Sequence, residues 1–487
     1  VKQKKNMNLT EDPLDKGTIF EGIQEYIETP ETTTIEAPQS YQHSYGRNGG
    51  IMPRGYTQQS HHIEEDVYRY ELDKIEWIGY TTTNTIEQDE SIYKIEIGTS
   101  RRDQRFHKYV HQTHVTEIND IKSSYDHVDY RMFMESRKRT NPIENIPKSV
   151  FQSRAALKAA EIDIITKIAS EELDLIPEED SRIYFADICT GLGFSEYLYW
   201  KNKDYGTKGF ALIKADENRD FKAQFNKDAP CENFHVSHGM DDTGDIIKTA
   251  NLNFFKKEVM EGTDHRGVSL FIADGRFPIE KGEENLQEHL ARHLILNECL
   301  CALMTLRKGG NFICKLFDTY NEFTLGLLYI LYISFQKFGI MKPITSRPAN
   351  SERFVVCKHV KGNQYDVHIR QLLEISEMMH EGQHVVSIVD PLVIANDDQF
   401  VNYMRNMNNS FAESQIRFLK LIKKGIEDKS LRVPDQKERS LNYLKKWNLP
   451  TITKQPYHHR NYHQPHYGDA RPRSRDYLPD TRPNKMR

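Results

Sequence analysis

The chain predicts an α/β fold, a mostly parallel sheet covered by helices on both faces, with disordered termini. Two observations carry this. Short apolar runs alternate with longer helical segments through the middle of the chain, as strand–crossover–strand units require. Several of these runs end in Gly-containing turns, such as Asp187-Ile188-Cys189-Thr190-Gly191-Leu192-Gly193-Phe194 and Asp274-Gly275.

In chain order, residues 1–60 are rich in Thr, Gln, Pro, Gly and Ser and predict disorder. Residues 61–120 hold short mixed segments, Ile75–Ile78 and Ile92–Ile95, readable as strands or short helices. Ile183–Ile188 and Gly267–Ala273 predict strands, and a helix begins near Ser195. Leu286–Leu306 carries apolar residues at helical intervals and stops at Lys308-Gly309-Gly310. Asn311–Cys314 predicts a strand, Phe323–Phe338 a helix and Arg353–Cys357 a strand. A helical extension covers 366–452. The tail, 453–487, has eight Lys/Arg against three Asp, so its +5 is segregated from a remainder of about −10. It reads as a solvated tail, or as one that helps hold RNA phosphates.

A net charge of −5 excludes a protein coated in nucleic-acid-binding charge, so any such contact needs a local basic patch. The six cysteines form no CxxC pair and read as buried free thiols of a reducing compartment, not as disulfides or a zinc site. No secretory signal is visible, and a chain beginning at Val1 reads as a fragment or processed product. The longest apolar run, Phe323–Phe335, is too short to span a bilayer, for which about 18 residues are needed, so no membrane partner is expected.

Candidate chemistry falls at strand ends, where ligands of such sheets bind. The turn after Ile188 could bring backbone close to a cofactor, although a Gly-x-Gly turn alone is a weak signal. Asp274 ends one strand, Lys315 ends another and Glu352 opens a third. Lys158 sits in Ser153-Arg154-Ala155-Ala156-Leu157-Lys158. Each alone reads best as a surface ion pair. Together, two lysines and two acids would neutralise one another around a polar site.

The matching stretches are Tyr184-Phe185-Ala186-Asp187, Phe194-Ser195-Glu196-Tyr197, Asn285-Leu286-Gln287-Glu288, Phe312-Ile313-Cys314-Lys315 and the run Lys342–Arg353. On these the chain resembles the RrmJ-type (FtsJ-like) ribose methyltransferases, with their Lys-Asp-Lys-Glu tetrad. More narrowly it is similar to those acting on the first transcribed nucleotide of capped mRNA. The run Pro348-Ala349-Asn350-Ser351-Glu352 separates it from ribosomal RNA relatives. Similarity runs from about Lys122 to Pro450.

The resemblance implies a Rossmann-like S-adenosylmethionine-dependent fold over 121–365, with Lys158, Asp274, Lys315 and Glu352 as the catalytic tetrad. It implies cofactor contacts from Ser153, from Cys189, Thr190, Gly191, Leu192, Gly193 and Phe194, and from Asp245 and Ile246. Capped RNA would meet Lys122, Ser123, Ser124, Tyr125, Asp126, Arg137, Asn285, Leu286, Gln287 and Asn350. Arg137 lies in Arg137-Lys138-Arg139, and with Tyr125 it suits cap phosphates and a stacked guanine. Implied partners are the capped mRNA 5′ end and transcription or capping machinery, in the nucleus if the host is a cell and the cytoplasm if it is a virus. No metal is required.

Three departures stand out. The family's Gly-Pro-Gly-Gly-Phe turn is shortened to Gly191-Leu192-Gly193-Phe194, Arg276 replaces a second Gly, and the segment before Asn285 is one residue longer. No G-patch-like, guanylyltransferase-like or WW stretch is read. The shortened turn motivates an alternative, a catalytically silent capped-RNA binder. As a base Lys315 must be neutral, which an ordinary pKa of about 10.4 forbids. A sulfonium and Lys158 beside it are expected to push it towards the neutral form, with Asp274 and Glu352 orienting the two lysines and limiting that shift.

Overall fold

The computed structural model describes residues 74–80, 89–99, 108–144, 146, 149–151, 153–169, 182–189, 192–203, 206–215, 231–276, 284–362 and 366–450. The disorder expected for 1–60 and 453–487, and the segment before Asn285 (277–283), lie outside them.

The apolar runs become a seven-stranded sheet. Its strands are β2 (Arg182–Ile188), β3 (Gly206–Leu212), β4 (Phe234–Ser237), β5 (Val268–Ala273), β6 (Leu306–Leu316), β7 (Phe335–Met341) and β8 (Arg353–Val360), in the order β4-β3-β2-β5-β6-β8-β7. The first five in that order pair in parallel, while β8 runs antiparallel to both β6 and β7. Every residue of β5 is buried, as a parallel strand covered on both faces must be.

Helices cover the two faces: α3 (Arg154–Thr166) and α4 (Gly193–Lys201) on one, α5 (Thr249–Gly262), α6 (Gln287–Thr305) and α7 (Glu322–Ser334) on the other. In α7 every residue from Phe323 to Ser334 is buried, which explains why it is apolar all round. No helix among the described residues is long and apolar enough to cross a membrane.

Two expected boundaries move. The helix assigned to Phe323–Phe338 ends at Ser334, and Phe335 opens β7. Phe335 and Phe338 are spaced as on a helix, but pairing with Val360 and Cys357 of β8 supplies their backbone bonds instead. Lys308-Gly309-Gly310 does not precede the next strand but lies inside β6, where the register with β5 shifts between Val268 and Leu270. Gly309 takes φ +79°, as a bulge at that point requires.

The flanking segments share this core. β1 (Tyr93–Ile97) pairs antiparallel with β9 (Val385–Val389), and Ile78 bridges Phe338. The 366–452 stretch therefore contains a strand as well as α8 (Asp366–His380), α9 (Pro391–Ala395), α10 (Asp398–Glu427) and α11 (Gln436–Lys446). Helices α1 (Gln112–Ser123) and α2 (Tyr130–Thr140) pack on α10. The cysteines are free thiols, four of them buried.

Candidate active site

Sheet order turns outward in both directions from the β2–β5 pair, so a crevice opens at their carboxyl ends. Asp274 follows β5 directly, and Lys315 is the penultimate residue of β6. Because β8 is antiparallel, its first residue, Arg353, lies opposite Leu316, which brings Glu352 to the same rim. Lys158 reaches it from α3.

The four side chains form two ion pairs. Lys158 Nζ lies 2.7 Å from Glu352 Oε1 and 2.8 Å from Oε2. Lys315 Nζ lies 2.9 Å from Asp274 Oδ1 and donates to the Asp274 carbonyl at 3.3 Å. Burial works against the Lys315 charge, but Asp274 and Glu352 outweigh it and raise the pKa above the ordinary lysine value. Burial likewise opposes the Glu352 charge, yet Lys158, Lys315 and a hydrogen bond from Ser346 hold this carboxyl far below the usual range. Asp274 and Glu352 thus oppose the neutral form as expected, and among the protein's own groups they prevail over Lys158, whose charge is paired with Glu352.

One face of α3 holds the 342–352 loop. Arg154, Lys158 and Glu161 sit at helical i, i+4, i+7 spacing. Glu161 accepts from Ile344 N (2.6 Å), Thr345 N (3.0 Å) and Thr345 Oγ1 (2.7 Å), while Arg154 Nε donates to Thr345 O at 2.9 Å. Lys342 Nζ ties the loop to itself through Asn350 Oδ1 (2.7 Å) and Glu352 O (2.5 Å). Beneath Asp274, buried Glu298 accepts from Gly275 N at 2.9 Å.

Beside the tetrad three guanidiniums surround one carboxylate. Glu144 lies 3.3 Å from Arg347, 3.6 Å from Arg154 and 3.7 Å from Arg137. Burial alone would raise its pKa, but Arg154, Arg347 and Arg137 hold it at about 2. The four groups together carry +2, a concentration of charge that favours an anion.

A family model described as FtsJ-like methyltransferase matches residues 151–360. The chain is 34% identical over 423 residues to the cap-specific mRNA (nucleoside-2′-O-)-methyltransferase 1 of Dictyostelium discoideum, covering 83% of this chain and 56% of that protein. It is 34% identical over 428 residues to the Xenopus laevis protein of that name, covering 83% and 50%. With the Mus musculus protein, identity is 39% over 345 residues, covering 68% and 41%.

Residues 151–360 are an FtsJ-like methyltransferase domain. The chain spans about half the length of the relatives it matches.

Within and around this domain the other expected site residues fall unevenly. Thr190 and Gly191 lie outside the described residues. Helix α4 begins at Gly193, two residues before expectation, and its N-cap Leu192 has φ +61°. Cys189 has φ +58°, so both residues hold the left-handed conformation that glycine adopts freely. A Cβ on Gly193 would meet Ser153 Oγ, Ala155 Cβ (2.6 Å) and Ala156 N (2.8 Å). Gly193 therefore lets α4 seat against α3. Ser153 caps α3 through Ala156 N (3.3 Å). Phe194 and Ile246 are core residues, and Asp245 Oδ1 accepts from Ile247 N of its own turn at 3.2 Å.

The expected RNA residues divide as well. Gln287 accepts from Ser351 Oγ at 2.9 Å, beside Glu352, while Asn285 and Leu286 sit in the turn leading into α6. Asn350 belongs to the tetrad loop. Tyr125 is corrected. It is 1% exposed, its ring packs on Phe133 and its hydroxyl donates to the Leu419 carbonyl, so it offers no face to a base. Lys122 is also buried, while Ser123, Ser124 and Asp126 lie at the end of α1 and in the turn after it. Arg137 is not part of an exposed patch but is 5% exposed and faces Glu144.

Sequence reasoning missed Glu144, Glu161, Glu298, Lys342 and Ser346. Ser346 and Lys342 lay within the quoted Lys342–Arg353 run and could have been found there. Nothing near Glu144 in sequence announces that it gathers three arginines. Among the described residues no group of three or more His, Cys, Asp or Glu is placed to hold a metal ion.

Proposed function

We propose that this chain transfers a methyl group from S-adenosylmethionine to the ribose 2′-oxygen of the first transcribed nucleotide of m7G-capped RNA. The observation that supports this reading best is the closed tetrad at the switch point of a methyltransferase domain. Relatives carrying the cap-specific name support the substrate. A nuclear location, near transcription or capping machinery, goes with that substrate.

The crevice fits the cofactor. Cys189, directly after β2, and Leu192, at the start of α4, both take positive φ. Cys189 N donates to Leu212 O at 3.2 Å, so the end of β3, with Lys214 two residues on, stands at the same rim. The residues that follow β2, from Cys189 on, would hold the cofactor together with Asp245. When bound, S-adenosylmethionine supplies an electrophilic methyl group on a sulfonium.

Asp274 fixes the Lys315 ammonium at the rim, and Lys158 with Glu352 fixes the opposite wall. Lys315 Nζ accepts the ribose hydroxyl proton, so it must first give up the proton that Asp274 and Glu352 stabilise. Activity should therefore fall as pH drops through the Lys315 pKa and keep rising into alkaline pH. The three arginines around Glu144 would take phosphates of the cap bridge.

The deciding assay is labelled methyl transfer to capped and uncapped short RNA, with the product nucleotide identified. Transfer confined to the first nucleotide of capped RNA is expected. Transfer to internal positions, or RNA binding without transfer, overturns the reading. Arg137→Ala should raise KM for capped RNA about tenfold, more than for uncapped RNA, with the gap shrinking as salt rises. Equal losses on both would limit Arg137 to general electrostatics.

A further inference from the structure

A second basic feature lies outside the tetrad and the arginine cluster. From Arg417 to Lys446 the chain holds ten Lys/Arg and four Asp/Glu, a local +6 in a chain of net charge −5, so the remainder sums to −11. This stretch is the last turns of α10, the loop 428–435 and α11.

Its position is set by packing. Val433 N donates to Arg139 O at 2.9 Å. Gln436 Nε2 donates to the carbonyls of Lys138 (2.9 Å), Arg139 (3.0 Å) and Asn141 (2.6 Å). Arg139 answers with a bond to Gly425 O at 2.6 Å. The loop thus wraps the end of α2, the same helix turn whose Arg137 faces Glu144.

On its inner side, Phe418, Leu421, Val433 and Leu431 pack with Ala349, and Gln415 Nε2 donates to Ala349 O at 3.1 Å. Ala349 lies three residues before Glu352. An unbroken seam therefore runs from the tetrad loop to this stretch. Lys138, Lys424, Lys429, Arg432 and Lys437 are exposed and outnumber the exposed acids Glu427, Asp435 and Glu438, while half-buried Asp428 is engaged by Ser430 N (2.8 Å) and Oγ (2.6 Å).

We propose that this ridge carries the RNA chain beyond the methylated nucleotide, through sequence-independent contacts with its phosphates. The proposal rests on the RNA methyltransferase reading and extends it. A row of lysines and an arginine on an apolar footing, continuous with a site for a nucleotide, matches a polymer bearing one negative charge per residue. An acidic peptide would match the charge but not the continuity with the reacting centre.

The test uses the full chain with Lys429→Ala, Arg432→Ala and Lys437→Ala combined, and capped RNAs of about 3 and about 20 nucleotides. Affinity is read by fluorescence anisotropy without cofactor, and transfer kinetics are read separately. For the long RNA, Kd and KM should rise about tenfold with kcat unchanged. The slope of log K against log salt should fall by about 2, at roughly 0.7 per lost single-strand contact. The short RNA should be unaffected, thermal melting should match wild type, and the charge-preserving Lys429→Arg, Arg432→Lys, Lys437→Arg variant should bind as wild type does.

Equal losses on both lengths, an unchanged salt slope or a charge-preserving variant that stays weak would overturn the ridge. So would unchanged RNA affinity with lost binding to polyglutamate, which would assign the surface to an acidic protein. Wild type that binds long RNA through the ridge but transfers no methyl group would sink the enzymatic reading instead. Wild type that methylates both lengths with equal KM would sink only the ridge.

Discussion

Two buried carboxyls flank the same rim, and their pKa values are shifted in opposite directions. Glu352 faces Lys158 and Lys315 and accepts from Ser346, so it stays ionised against the cost of burial. Glu298 lies deeper, its hydrogen-bond partners are Gly275 N and the Cys314 thiol, and burial raises its pKa to about 8 despite Lys315 nearby. The difference teaches that burial opposes charge at both sites, and that only the carboxyl with cationic partners in direct contact overcomes it. One acid organises the reacting lysines, and the other serves as a neutral prop under Asp274-Gly275.

Removing the shared lysine breaks the comparison most severely. Lys315→Ala should lower kcat at least 100-fold, about 2.7 kcal/mol, while fold and cofactor binding persist. A variant keeping more than about a tenth of the wild-type rate in single-turnover transfer would rule out Lys315 as the base.

Next comes the charged acid. Glu352→Gln leaves Lys158 without its counter-charge, and breaking a buried pair from one side costs about 3–5 kcal/mol. Denaturant unfolding should show a loss of that order, discounted somewhat because Lys158 keeps 14% of its side-chain surface exposed. A loss below about 1 kcal/mol would mean that the pair is effectively solvated.

Glu298 sharpens the contrast through pH. Its folded pKa of about 8 lies above the ordinary 4.5, so between those values the native state holds a proton that the unfolded chain has released. Stability must then fall as pH rises across that window. Glu298→Gln cannot titrate and should flatten Tm against pH from 5 to 8. Glu288, also raised to about 8 by burial, leaves part of the slope in place. A variant whose Tm profile overlays the wild type would show that Glu298 is ionised after all.

The smallest effect belongs to Ser346→Ala, which removes one hydrogen bond to Glu352 and should cost about 1–2 kcal/mol. Lys158 still holds the carboxylate, so calorimetry should find cofactor affinity within about threefold of wild type. A larger drop would make Ser346 a principal anchor of the network.

The sequence by itself determined the alternation of strands and helices, the strand-end placement of Asp274, Lys315 and Glu352, and the buried character of α7. Local hydrophobic period encodes these features, and each needs only a few neighbouring residues to be legible. It also carried the family resemblance, through runs such as Lys342–Arg353.

Only the tertiary structure decided the rest. That Phe335 begins a strand depends on β8, which is remote from it at sequence level. That Tyr125 supports α10 instead of facing solvent depends on Leu419, nearly 300 residues away. That the space beside Gly193 is filled by α3 depends on Ser153, Ala155 and Ala156, which belong to a separate element. The charge states of Lys315, Glu352 and Glu298 were out of reach for the same reason. Each is a sum of burial and partners contributed by several separate elements, and no local pattern records which of them will meet.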